Sequence, residues 1–215
     1  MKVPCVLLLA LAAAARPAAA QQPTVRTLAA REVPAGLGVA GPVEAARRWT
    51  DRGGDNLLVL TRTPETPSVD AEGNPARSRE IRAYHFVRRG SGYRLLWRTL
   101  DYVRDCDLDI VLEFAPGSLR VTDVDRDGVA ETSYAYTLAC RGGVDPPDLK
   151  LILHEGAAKY AVRGFQDYRE LGGDYPAPEM RADAALASQP ALRDFAVAQW
   201  RRFARPSAWR SEGPP

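Results

Sequence analysis

The chain has 215 residues, of which 46% are hydrophobic, 26% charged and 8% aromatic, and that balance excludes a disordered or collagen-like polymer. Its 29 basic and 27 acidic residues draw level at 27 each once Lys2 and Arg16, which lie in a predicted leader, are set aside. An evenly balanced chain has no electrostatic case for binding nucleic acid.

Residues 1–20 read as a Sec-type signal peptide: Lys2, an apolar run from Val6 to Ala15, and Ala18, Ala19 and Ala20 before Gln21. The run is about half the ~20 residues a membrane helix needs, and no later stretch is apolar for as long. The mature protein is therefore expected to be exported, periplasmic or extracellular, with no transmembrane segment. Gln21 and Gln22 stand where a lipoprotein would carry its cysteine. Removal of the leader leaves two cysteines, Cys106 and Cys140, and an even pair in an oxidising compartment reads as a disulfide. Closing a loop of about 35 residues is worth roughly 3 to 4 kcal/mol.

Residues 21–42 are rich in Ala, Gly, Pro and Val without a sustained period and are expected to be an extended, partly ordered lead-in. Pro42 opens a short predicted helix, with Val43, Ala46 and Trp49 on one stripe. Leu57 to Thr63 has the length and composition of a strand, and Pro64 to Pro75 that of a surface loop. From Arg79 to Arg88 the chain alternates, with Ile81, Ala83, His85 and Val87 on one face. The turn at Gly90 to Gly92 joins this stretch to Tyr93–Asp101 as a hairpin. Shorter strands are predicted at Leu108–Phe114, Leu119–Thr122, Thr132–Ala139, Leu149–Leu153 and Tyr160–Arg163. About eight strands at hairpin spacing predict a mainly β fold, an antiparallel meander sheet or sandwich. Pro178–Ala187 and Pro190–Ala204 turn to Ala, Arg and Leu, and Leu192, Phe195, Ala196, Trp200 and Phe203 recur at helical spacing. This C-terminal amphipathic helix is expected to pack on the sheet. Residues 43–205 then form a single β-rich domain and 206–215 a frayed tail.

The sharpest chemical signal is Asp123–Glu131, DVDRDGVAE. Asp123, Asp125 and Asp127 set carboxylates at alternate positions, Gly128 permits a sharp turn, and Glu131 returns a fourth. The Val129 carbonyl is the natural further ligand. Hard oxygens from one short loop suit Ca²⁺, which takes six to eight of them in flexible geometry. The pattern follows an EF-hand through its sixth position, but the twelfth, where an EF-hand needs Glu, is Tyr134, and the flanks are strand-like. The loop resembles the calcium-binding β-hairpin loops of FG-GAP repeats, which also place their last acid at position nine, although only one copy is present. A loop that supplies nearly all its own ligands implies a structural cation. Asp105 and Asp107 would approach this loop if Cys106 bonds Cys140, and either is a candidate extra ligand.

Enzyme signatures are sparse. His85 and His154 read as packing residues, and no nucleophile elbow, P-loop, zinc-protease or dinucleotide motif occurs. An alternative function is a glycan-active enzyme using paired carboxylates such as Asp105, Asp107 and Glu113. Arginine clusters at 47, 48 and 52, at 77, 79 and 82, and at 201, 202 and 205 accompany only three lysines, which points to coding bias more than to an anionic ligand. Tyr84, Tyr93, Trp97, Tyr134 and Tyr136 read as cross-strand packing before sugar stacking.

The segment from Trp49 to Gly164 resembles a family of small exported bacterial proteins named for surface polysaccharide biosynthesis. The likeness rests on DCDLDIVLEF (Asp105–Phe114), LRVTDVDRDGVAETSYAY (Leu119–Tyr136), the Cys140-Arg141 pair and LKLILHEGAAKYAVRG (Leu149–Gly164). Where that family usually carries Asp-Val-Ser-Pro after its second cysteine, this chain has Gly143, Val144, Asp145 and Pro146. The resemblance implies an envelope setting and a cell-surface glycan as partner, and it carries no catalytic residues. The expectation is a non-catalytic, calcium-binding β-rich module of the cell surface.

Overall fold

The computed structural model describes residues 22–172 and 174–209. The predicted leader lies outside them. The chain forms two antiparallel six-stranded sheets and one long helix. The first sheet holds β1 (Arg26–Leu28), β2 (Val43–Asp51), β3 (Gly54–Arg62), β4 (Thr66–Val69), β5 (Pro75–Arg89) and β6 (Gly92–Cys106). Its order is β1-β2-β3-β5, with β3 and β4 following each other along one edge of β5 and β6 on the other edge. The second holds β7 (Asp109–Phe114), β8 (Arg120–Thr122), β9 (Glu131–Arg141), β10 (Asp148–Glu155), β11 (Ala158–Phe165) and β12 (Arg181–Ala182), ordered β12-β11-β10-β9 with β7 and β8 sharing the far edge of β9. The predicted meander is thus a sandwich, and α1 (Pro190–Ala204) packs on it as expected.

Three apolar seams hold four layers together. Between the sheets lie Trp49, Leu58, Ile81 and Trp97 from the first and Leu112, Tyr134, Tyr136 and Ile152 from the second. The outer face of the second sheet, with Leu149, Leu151 and Val162, meets Leu192, Ala196, Trp200 and Phe203 of α1. The outer face of the first sheet, with Leu57, Val59, Tyr84 and Phe86, is covered by Val33, Leu37 and Val39 of the lead-in. Each large apolar side chain so buried contributes about 1.5 to 3 kcal/mol before the entropy of ordering is counted. The seam between the sheets is pinned by the Cys106–Cys140 disulfide, with Cα atoms 5.6 Å apart, which ties the end of β6 to β9.

Four sequence expectations are corrected. The helix predicted from Pro42 is strand β2: Ala46 packs into the outer seam and Trp49 into the inner one, opposite faces that three-residue spacing gives in a strand and not in a helix. Val43 rejoins the Ala46 side because the register shifts between Val43 and Ala45. The Pro-rich stretch after Thr63 contains β4, tolerated because Pro67 lies on an edge strand that need not donate from every residue. The helical composition of Pro178–Ala187 resolves into β12 and a 3-10 turn at Ala184–Ser188. The tail begins with a docked 3-10 turn, Pro206–Trp209, in which the Trp209 indole donates to the Phe203 carbonyl at 2.8 Å. Tyr84, Trp97, Tyr134 and Tyr136 are all buried, so they serve packing and cannot stack on a sugar.

His85 and His154 also lie in the inner seam. Trp97 stacks on the His154 ring with centroids 3.6 Å apart and meets the His85 ring edge-on at 5.3 Å. Burial pushes both imidazoles down, His85 to about 4 and His154 to about 3, so both are neutral packing groups at physiological pH.

Candidate metal centre

The acidic loop connects β8 to β9, and its backbone is shaped by its own side chains. The Asp125 carboxylate accepts from the Asp127 N–H at 3.2 Å, Asp127 from Val129 at 2.7 Å, and Asp123 Oδ2 from Gly128 at 3.1 Å. Such bonds are what Asp offers a turn. Gly128 takes φ 86° and Arg126 φ 63°; the first is free for glycine, the second costs an arginine about 1 to 2 kcal/mol.

The result is a graded cluster. Asp123 is 2% exposed and Glu131 fully buried, whereas Asp125 and Asp127 face solvent. Glu131 Oε2 accepts from the Val124 N–H at 2.9 Å and the Thr122 hydroxyl at 3.2 Å. The remaining oxygens of the buried pair, Asp123 Oδ1 and Glu131 Oε1, have no hydrogen-bond partner. A buried carboxylate oxygen without a partner is costly, by several kcal/mol when charged. Ligating oxygens of Asp123, Asp125 and Glu131 lie within 4.8 Å of one another, close enough to hold a metal ion.

A second group, Asp125, Asp127 and Glu155, meets the same distance criterion and shares Asp125 with the first. Glu155 ends β10 and sits directly opposite Glu131 in the β9–β10 register. Burial raises the Glu155 carboxyl above its ordinary range, reinforced by the charges of Asp125 and Asp127. Burial likewise pushes Glu131 to about 7, with the Asp125 charge adding to it. Both shifts say that the cluster resists holding all its negative charge unaided.

Two outside elements brace the loop. From the β2–β3 turn, Arg52 donates its N–H to the Gly128 carbonyl at 2.9 Å and its guanidinium to Asp127 at 3.2 Å, while Asp51 Oδ2 accepts from Ala130 N–H at 3.0 Å and the Trp49 indole at 2.9 Å. From the lead-in, the Gln22 amide donates to the Asp123 carbonyl at 2.7 Å and accepts from the Asp123 N–H at 3.2 Å. The loop of one sheet is thus anchored to a hairpin of the other.

Of the predicted site residues, Asp123, Asp125 and Glu131 fall in one group, Asp127 falls instead in the second with Asp125 and Glu155, and half-buried Val129 closes the loop with its N–H on Asp127. Asp105 and Asp107 join neither group; Asp105 accepts instead from the Ser78 hydroxyl at 3.4 Å, beside β5. Their place is taken by Glu155, which in sequence reads only as a turn residue. Its one signal is an acid at the end of an apolar strand run, just before Gly156. No family model, no curated protein and no solved structure matches the chain. Among the described residues no helix is long and apolar enough to cross a membrane.

Proposed function

We propose that the protein is an exported, non-catalytic β-rich module that binds Ca²⁺ at the β8–β9 loop and works at the cell surface together with a polysaccharide. The observation that carries the cation is the pair of unpartnered buried oxygens, Asp123 Oδ1 and Glu131 Oε1, in one cluster with Asp125. A divalent ion satisfies both at once and offsets the charge that burial opposes. Calcium fits better than magnesium because every side-chain donor is a carboxylate on a loop of irregular geometry, while Mg²⁺ demands near-ideal octahedra and keeps its water. Zinc is disfavoured by the lack of sulfur and imidazole in the cluster. The brace to Asp51 and Arg52 gives the ion a structural role, fixing one sheet against the other.

Export is supported by the leader pattern and the disulfide, and the glycan setting by the family resemblance of Asp105–Phe114, Leu119–Tyr136 and Leu149–Gly164. The test of the cation is thermal unfolding in EDTA, then with added CaCl₂ or MgCl₂. Binding to the folded state stabilises it by about 2.7 kcal/mol at a hundredfold excess over Kd. A melting point that rises with calcium, returns with EDTA and responds weakly to magnesium supports the reading; no shift at millimolar calcium overturns it. Intact mass of the periplasmic protein tests export, which requires a chain beginning at Gln21. Retardation in gels cast with purified capsular polysaccharide, against gels cast with neutral dextran, tests the partner.

A further inference from the structure

We propose that the exposed side of β6 is a lipid-docking surface that seats on an anionic membrane at headgroup depth. Neither the calcium site nor the glycan partner is required for it, since β6 supplies no residue to the acidic groups. Among the described residues nine large apolar side chains are exposed, and four of them, Leu95, Leu96, Leu100 and Tyr102, lie on β6; no other element carries two. The cause is a cover that stops short. Val33, Leu37 and Val39 of the lead-in close over Tyr84 and Phe86 of β5 and reach only Tyr93 of β6. Beyond it Leu95, Arg98, Leu100 and Tyr102, opposite Phe86, Tyr84, Arg82 and Glu80 in the β5 register, are left exposed. An open apolar run along about 25 Å of strand is the kind of surface that marks an interaction site.

The charges select the occupant. Arg94 and Arg98 form no ion pair among the described residues, and Arg104 reaches Glu80, already paired with Arg82, only at 3.7 Å. The one acid on the strand from Gly92 to Arg104 is Asp101. It is turned into the sandwich, where Lys150 pairs with it at 2.6 Å and the Tyr136 hydroxyl donates to it at 2.7 Å. The exposed side is therefore apolar and positive together. Anionic headgroups attract such a surface within a Debye length, and the membrane interface takes up its leucine and tyrosine side chains. Tyr102 carries the Arg104 guanidinium 3.9 Å from its ring centre, which sets an aromatic body and a cation at the same level, as at a headgroup boundary. The open edge of β6 limits the depth, because its unpaired backbone groups find water and phosphate oxygens at the interface and none in hydrocarbon. Other occupants fit less well. A further strand meets two register bulges and the inward-pointing Asp101, features that block pairing. A soluble polyanion satisfies the arginines but leaves three leucines in water.

The test is co-sedimentation of the purified protein with vesicles of phosphatidylcholine and phosphatidylglycerol in equal parts, against vesicles of phosphatidylcholine alone. Binding should appear on the anionic vesicles only and fall steeply as NaCl rises from about 0.1 to 0.5 M. Arg98→Gln should weaken it about fivefold. Leu100→Ser, which leaves the charge unchanged, should weaken it about tenfold. Leu171→Ser, a comparably exposed leucine in the 3-10 turn Tyr168–Leu171, should have no effect. Tyr102→Trp adds a reporter whose emission should move to shorter wavelength on the anionic vesicles. Every replaced side chain is exposed, so each variant should keep the wild-type melting point and the comparison reads binding alone. No binding, equal binding to both vesicles, insensitivity to Leu100→Ser, or an unshifted Tyr102→Trp emission each overturns the proposal. Equal loss of binding to vesicles and to soluble polygalacturonate with Leu100→Ser also overturns it, because the same face would then hold a soluble polyanion.

Discussion

Glu131 and Glu155 face each other across β9 and β10 as direct register partners, one fully buried and one half-buried. Like charges in that relation destabilise a sheet, and here they sit beside Asp125, which belongs to both acidic groups. An arrangement that costs stability on its own is explicable when a cation joins the two strands and the loop.

Glu155→Gln separates these effects. Without cation the substitution should stabilise the protein by about 0.2 to 1 kcal/mol, raising Tm by about 1 to 3 °C. With saturating calcium the gain in Tm should be smaller than in wild type, since one ligand is lost. The checking measurement is the pair of melting curves in EDTA and in calcium. If the Glu155→Gln variant gains as much from calcium as wild type, Glu155 is no part of the site.

Much of this fold can be read from the residues, and the failures share one cause. The alternation at Ile81, Ala83 and His85 and the turn at Gly90–Gly92 report local periodicity, and they mark out the β5–β6 hairpin. Cys106 and Cys140 need only their number and compartment. The Asp123–Glu131 loop is contiguous, so its carboxylates announce themselves. Glu155 does not, because it becomes a neighbour of Glu131 only through the β9–β10 register, and register is a property of the pairing and not of either strand. β2 misleads because a strand buried on both faces loses alternation, and its outer cover comes from Val33, Leu37 and Val39 of the lead-in.

His85, one of the two neutral histidines of the inner seam, sets an acid limit. His85 is 4% exposed, its Nε2 lies 2.9 Å from Asn56 Oδ1, and its Nδ1 has no partner. Trp49 and Trp97 flank it, and Asp51 is the one charge that opposes the effect of burial. Its folded value, about 4, is below the ordinary 6.5, so the unfolded chain binds the proton first. Stability from this group is whole above pH 6.5 and is lost as pH falls toward 4, to an extent of roughly 3 kcal/mol. Urea midpoints at pH 7, 5.5 and 4 should fall in that order because His154, lowered to about 3, adds to the loss and the two histidines together outweigh the opposite contribution of Glu131, raised to about 7; the His85 ring resonances should stay in their neutral positions until about pH 4. Ring protonation near pH 6.5 in the folded protein contradicts this.

The disulfide spans 34 residues and joins the two sheets at one end of the sandwich. Replacing both Cys106 and Cys140 by Ala should cost about 3 to 4 kcal/mol, or about 10 °C in Tm for a chain of this size. The apparent calcium affinity should change much less, since neither cysteine belongs to the acidic groups. Parallel melts of the double variant in EDTA and calcium provide both numbers.

Among the described glycines, Gly164 has the least room for a side chain. It lies on β11 opposite Leu149, and a Cβ there would sit 2.4 Å from the Glu179 carbonyl oxygen and 2.5 Å from Trp200 Cζ2. The indole can rotate only by giving up its 3.3 Å hydrogen bond to the Leu149 carbonyl, and the Glu179 oxygen belongs to backbone that must shift bodily. Gly164→Ala should therefore cost about 3 kcal/mol, lowering Tm by about 6 to 12 °C, and should lift α1 from the second sheet. Adding Trp200→Leu removes the ring contact but leaves the Glu179 clash and opens a void, so the double variant should recover none of the loss. Tm and tryptophan emission of the two variants check this, and a wild-type melting point for Gly164→Ala would show that the Glu179 backbone yields freely.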